Sequence, residues 1–294
     1  MFGGERVFGK GYLAVEFFLM LSGFLMAYAQ EARIGEPARF MVKRYTRLWP
    51  TMALGGVIGL PRLYLKSAGL GEFLATALAN LALLPAWWAK FVFVLNIPAW
   101  TIFYELVANT LHVFVFRHLK LWAIGLGIAV LVPVMVWIGN SWGSFDVGAK
   151  PGDFIAGLPR ILFAYLIGVA LGRMWRGGSP IPVPPLIAIP AMPVILAASW
   201  WFKLDQTWYF DFAFTVIACP LMIAGGMRLA RFHRAAGLLG QLSFPLFAVQ
   251  MPILEGMHMM GFKGWSAGFA ALAGGVLAAI FTQRFDRWRK ESKP

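Results

Sequence analysis

Runs of about 20 apolar residues recur along this chain, and each is long enough to cross a hydrocarbon core of about 30 Å. Hydrophobic residues make up 60% of the 294 and charged ones 13%, where an ordinary soluble domain carries roughly 25% charged residues. A water-soluble fold cannot cover itself with so little charge. In hydrocarbon every backbone polar group needs an internal partner, so helices are the expected solution. The predicted fold class is therefore all-α: a polytopic integral membrane protein whose single transmembrane domain fills residues 1–294. The net charge of +13 and the 13 tryptophans would point to nucleic acid in a soluble chain. Here the basic residues cluster in short segments between apolar runs, as in loops held at a cytoplasmic face by anionic lipid. Membrane lipid, not nucleic acid, is the expected partner. The single Cys219 lies in an apolar run, so no disulfide framework is available.

Hydropathy predicts nine spans, near 11–29, 48–65, 99–116, 121–139, 157–174, 182–202, 208–226, 237–257 and 264–282. The stretch 72–84 is apolar but short, and Pro85, Trp87, Trp88 and Lys90 follow it, which predicts an interfacial or re-entrant helix. Leaving it out places segments 30–47, 117–120, 173–176, 227–236 and the tail 283–294 on one side, with 17 of the 26 Lys and Arg. Arg6, Lys10, Arg62, Lys66, Lys90, Lys150, Lys203 and Lys263 fall on the other, and Arg160 stands at the mouth of a span. Counting 72–84 as a span would move four of the five basic segments outside, against the positive-inside rule. The prediction is thus a cytoplasmic C-terminus and an outward Met1. An outward start without a leading helix is awkward to insert. A signal peptide over 1–29, ending in Ala27-Tyr28-Ala29, is the alternative, opposed by Glu16 within its apolar run.

Ionisable side chains inside a membrane are costly, which makes Glu16 and Glu105 functional candidates. Glu105 is followed at i+4 and i+7 by Asn109 and His112, so the three share one helical face. Such a polar stripe either lines a cavity or pairs with neighbouring helices. Asn96, Pro98, Trp100 and Tyr104 precede it at the boundary where Trp and Tyr anchors are common. The loop 39–50, RFMVKRYTRLWP, sets Arg44 and Arg47 three apart with Arg39 and Lys43 beside them. Two guanidiniums on one face can grip phosphates, or can simply meet lipid headgroups. Arg160 and His258, the latter in an outer loop, read as solvated or structural. Ser22, beside Gly23, reads as a small residue for helix packing rather than a nucleophile. No zinc-type His/Cys cluster, nucleotide-binding glycine loop or G-x-S-x-G elbow occurs, so no metal is expected.

The segment GYLAVEFFLMLSGFLMAY (11–28), followed by RFMVKRYTRLWP (39–50), resembles acyltransferase family 3. Residues 96–105, NIPAWTIFYE, are similar to that family's N-x-P-x-W-S-L-x-x-E segment, and LLGQLSFPLFAVQMPI (238–253) is similar to its late helix. The resemblance implies a bacterial inner-membrane enzyme of ten spans. Such an enzyme moves an acyl group, commonly acetyl, from cytoplasmic acyl-coenzyme A to a hydroxyl on a carbohydrate or lipid-linked acceptor. It implies that Arg44 and Arg47, with Lys43, hold the coenzyme, and that Glu105 and Glu16 serve the chemistry. Trp100, Tyr104, Asn109 and His112 would then contact the acceptor. Two departures stand out. Phe244, Gln250 and Met251 occupy positions where the late helix carries a tyrosine and a histidine, and the family's histidine-bearing first helix has no counterpart after Met1. A gene start placed too far downstream would account for that and for the odd span count. It predicts an in-frame apolar segment upstream with an Arg and, about three turns on, a His. The rival reading is a carrier or flippase with Glu105, Asn109 and His112 along its path. A third is a partner protein that keeps the fold without turnover. Acceptor specificity is expected in outer loops such as 140–156.

Overall fold

The computed structural model describes residues 9–228 and 233–291. Arg6, residues 229–232 of the basic segment 227–236, and the last three residues of the tail lie outside them. Among the described residues the chain is all-helical, without strands. Its helices are α1 (Ala14–Leu25), α2 (Pro37–Lys66), α3 (Leu70–Leu81), α4 (Ala99–Phe114), α5 (Leu121–Trp142), α6 (Phe154–Met174), α7 (Pro185–Trp201), α8 (Trp208–Ala213), α9 (Cys219–Gly226), α10 (His233–Met259) and α11 (Trp265–Glu291). Two wide turns of π type extend them. One, Met26–Gln30, carries α1 on to a short 3-10 turn at Glu31–Arg33; the other, Phe214–Ala218, joins α8 to α9. The second has a local cause, because Pro220 near the start of α9 has no N–H to give to the preceding turn.

Among the described residues seven helical stretches are long and apolar enough to cross a bilayer: Gly11–Arg33, Ala99–His118, Leu121–Trp142, Phe154–Met174, Trp208–Gly226, Gly237–Met259 and Trp265–Arg284. This is a multi-pass membrane protein. The stretch 48–65 is the second half of α2, which is 30 residues long and has Pro50 and Pro61 inside it. Residues 39–50, read above as a loop, are therefore helical. Pro37 at the first helical turn presets φ where no intrahelical N–H bond is lost, so the helix starts ahead of the basic run. Leu70–Leu81 and Pro185–Trp201 are shorter apolar helices, and Pro185 begins the second of them.

The bundle is organised around α6. Of its apolar window 72% is buried, against 17% for α5, so α6 is the central post and α5 lies at the periphery. Helices α6 and α1 approach each other closely. A Cβ on Gly23 would strike the Tyr165 carbonyl, and one on Gly168 would strike the Met20 carbonyl. With Gly172 one turn beyond Gly168, this is small-residue packing that brings two backbones together and lets dispersion hold them in lipid. One end of the bundle is tied by Glu31: it binds Arg173, which also donates to the Phe116 and Leu119 carbonyls at 2.7 and 2.5 Å. Three basic segments thereby meet at that end. The opposite end is closed by loop 143–153, where Asp153 Oδ1 accepts from the Gly148 and Lys150 amides at 3.0 and 2.9 Å.

Candidate active site

The register of α4 places Glu105, Asn109 and His112 on one face, and that face looks into the bundle: Asn109 and His112 are fully buried. Glu105 meets two other helices. Its Oε1 accepts from Arg44 Nη2 of α2 at 2.8 Å and from Ser22 Oγ of α1 at 3.0 Å, while Arg44 Nη2 also donates to Ser22 Oγ at 3.2 Å. Arg44 Nη1 lies 3.7 Å from Met26 Sδ. The other Glu105 oxygen, Oε2, takes no hydrogen bond from any described residue. The Arg44 and Glu105 side chains are 23% and 19% exposed, so the triad is sheltered but reachable.

The helical continuity of α2 makes this possible. In a helix, residues three apart point some 60° from one another, and here Arg44 turns inward while Arg39, Lys43 and Arg47 stay exposed. Ser22 and Gly23 divide the work assigned to the pair above. Gly23 supplies the close approach to α6, and Ser22 faces Glu105.

Below the triad the α4 face continues with incompletely partnered groups. Asn109 Oδ1 accepts from Tyr165 Oη at 3.0 Å, but Asn109 Nδ2 has no hydrogen-bond partner. Arg44 Nε and both ring nitrogens of His112 are likewise buried without one. His112 Nε2 comes to 3.2 Å from Glu31 Oε1, although the bond is poorly aligned. An unsatisfied buried donor or acceptor costs about 1–3 kcal/mol, so three on this face, with a fourth on the arginine that meets Glu105, is a conspicuous concentration.

Glu16 is finished differently. Both its oxygens are held by Arg160, Oε1 by Nε and Oε2 by Nη2 at 3.0 Å. Arg160 Nη1 donates to the Val147 carbonyl at 2.8 Å, and the guanidinium lies over the Trp100 and Tyr12 rings, 5.3 and 5.7 Å from their centroids. The two side chains are 1–2% exposed. Arg160 is therefore not solvated; it is the largest fully buried side chain among those described. Trp100 and Tyr104 belong to the same end. The Tyr104 hydroxyl donates to the Phe154 carbonyl at 2.5 Å, and Gly148, at φ +115°, lets its loop lie against the Trp100 ring. His258, expected in an outer loop, sits in the last turn of α10.

Three carboxylates that escaped the sequence reading also anchor the bundle. Glu31 binds Arg173 through Oε1 and Arg176 through Oε2, both at 2.7 Å. Asp211 takes Lys10 Nζ at 2.6 Å, Tyr12 Oη at 2.6 Å and the Phe145 amide at 2.8 Å. Glu255 pairs with Arg62 at 2.6 Å. Asp211 and Glu255 lie inside predicted spans, so the rule that singled out Glu16 and Glu105 applies to them too. Lys10 and Arg62, counted as outer-loop charges, are their partners. Among the described residues no group of three or more His, Cys, Asp or Glu is arranged to hold a metal.

Residues 6–284 match acyltransferase family 3, described as an acyltransferase domain. The chain belongs to that family. It is a membrane acyltransferase, and nearly every described element falls within the match. "Protein 2 in picA locus" of Rhizobium radiobacter is 32% identical over 136 residues, covering 37% of this chain and 70% of that protein. No solved structure matches the acyltransferase.

Proposed function

We propose that the acyltransferase moves an acyl group, acetyl in the simplest case, from acyl-coenzyme A to a hydroxyl of a carbohydrate or lipid-linked acceptor in the bacterial inner membrane. The observation that carries this reading is the half-engaged carboxylate of Glu105. Two donors fix Oε1, leaving Oε2 free beside a guanidinium with an unpaired buried Nε. Ester formation from a thioester needs a base for the hydroxyl proton and donors for the oxyanion that develops on the carbonyl. Glu105 Oε2 supplies the first and Arg44 the second. The hydroxyl oxygen attacks the acyl carbon, the proton passes to Oε2, and the carbon–sulfur bond breaks to release the coenzyme thiolate.

The exposed Lys43 and Arg47, one on each side of Arg44 along α2, are assigned to the coenzyme phosphates. A charge on an exposed face suits a phosphate that arrives from water. Their end of the bundle carries the basic segments and is assigned to the cytoplasm, together with the C-terminus. Glu16 is assigned to holding the architecture through Arg160. Trp100 and Tyr104 form the wall on the acceptor side, under the 143–153 loop.

Turnover is measured on the purified protein in lipid nanodiscs, by thiol release from acetyl-coenzyme A with and without acceptor. Acceptor-dependent thiol release, with kcat lowered about a hundredfold by Arg44→Ala, is the expected result. Absence of both refutes the assignment.

A further inference from the structure

We propose that a file of internal water runs along the α4 face from Glu105 past Asn109 and His112 to Glu31, and that it carries away the proton taken from the acceptor hydroxyl. The proposal rests on the acyl-transfer reading for its proton and on buried polar atoms for its path. Arg44 Nε, Asn109 Nδ2, His112 Nδ1 and His112 Nε2 are all buried without a hydrogen-bond partner. Buried polar groups are almost always satisfied by protein or by water, and a buried water typically makes two to four bonds to such groups. These four atoms are not scattered. Three of them lie on the inward face of α4 and the fourth belongs to Arg44 of α2, which meets Glu105 at the head of that face; the seven steps from Glu105 to His112 span roughly 10 Å of helix axis. Water in this row would satisfy the Arg44, Asn109 and His112 atoms that lack a partner.

The groups around the row suit proton movement. Arg44 and Ser22 stand at its head, with the Glu105 carboxylate; Tyr165 of α6 donates to Asn109 Oδ1 and sets its ring across His112, with centroids 5.9 Å apart. At its foot His112 faces Glu31, whose charge is balanced by Arg173 and by Arg176, the latter 59% exposed. An imidazole with one N–H and one lone pair accepts a proton on one nitrogen and gives it up from the other. The proton from the hydroxyl leaves Glu105 Oε2, passes along the water and His112, and reaches bulk water at the Arg176 end. The released thiolate takes one proton from the same bulk water, so the net reaction consumes none. Asn109 and His112 act here as positioning and relay groups and touch neither substrate.

The test has one arm that needs no turnover. Hydroxyl-radical footprinting of the full chain in lipid nanodiscs labels side chains that border water, buried or not. Tyr165 and Tyr104 are both buried, but the Tyr104 hydroxyl is satisfied by the Phe154 carbonyl away from the row. Tyr165 should label at least about fivefold more than Tyr104, and Asn109→Leu should remove the difference by taking away the amide that holds the water. Equal labelling of the two tyrosines overturns the water file. The second arm measures turnover. Asn109→Leu and His112→Phe should lower kcat about tenfold with KM for acetyl-coenzyme A unchanged, while His112→Gln, which keeps a donor and an acceptor, should recover much of the rate. Wild-type turnover with undiminished kcat in both apolar variants overturns the proton route and leaves acyl transfer standing. No wild-type turnover removes the acyl-transfer reading and the proton role together, and footprinting still decides the water.

Discussion

Two arginine–carboxylate pairs lie inside this bundle, built from the same chemistry and completed in opposite ways. At Glu16 and Arg160 both carboxylate oxygens are engaged, the guanidinium has a carbonyl and two aromatic rings as further neighbours, and solvent is excluded. At Glu105 and Arg44 one carboxylate oxygen and the guanidinium Nε are left over, and the pair remains about one-fifth exposed. A saturated pair has nothing left to offer a reactant. The unsaturated pair keeps a carboxylate oxygen and a guanidinium donor uncommitted, at the cost of leaving polar groups poorly satisfied. An intramembrane carboxylate is thus a functional candidate only until its partners are counted, and the count separates the two glutamates that the sequence treats alike.

The largest effect is expected from opening the saturated pair. Arg160→Leu leaves Glu16 buried without a counter-charge, and losing one partner of a buried pair typically costs about 3–5 kcal/mol. Thermal unfolding in detergent should show a collapse of folded yield, and Glu16→Gln added to Arg160→Leu should restore part of it. Next comes the scaffold between the pairs. Gly168→Leu forces α1 off α6 at the Met20 carbonyl, and overpacking of this kind costs roughly 1–3 kcal/mol, visible as a lowered unfolding temperature. Ser22→Ala removes one of the two donors that orient Glu105. It should lower kcat about tenfold and stability by only about 1 kcal/mol, a split that sets the triad apart from the saturated pair. Smallest is Arg47→Ala, on an exposed surface: KM for acetyl-coenzyme A should rise a few-fold, the rise should shrink at high salt, and kcat should hold.

The all-helical membrane fold was legible because a span must be long and apolar, and those two properties are written directly in the residues. The α4 stripe was legible for a similar reason: Glu105, Asn109 and His112 are local in sequence and helical period brings them together. The partners of that stripe were not. Arg44 and Glu105 are 61 positions apart and Glu16 and Arg160 are 144 apart, so which arginine meets which glutamate depends on helix packing that no local period encodes. The basic run at 39–50 reads as a loop by its charge density, yet it is helical because Pro37 starts α2 ahead of it. Glu31 was hidden by the same charge density, as an acid among bases at the edge of a span. Asp211 and Glu255 needed only the rule already in use.

The central claim, that Glu105 is the base of an acyl transfer, is tested most directly by comparing Glu105→Gln with Glu16→Gln. The quantity measured is acceptor-dependent thiol release from acetyl-coenzyme A by the purified protein. Glutamine at 105 keeps an acceptor for Ser22 and Arg44 but cannot take a proton. Turnover should fall about a hundredfold or more in Glu105→Gln with the protein still folded, while correctly folded Glu16→Gln should retain most of its rate. Wild-type turnover in folded Glu105→Gln would contradict the account.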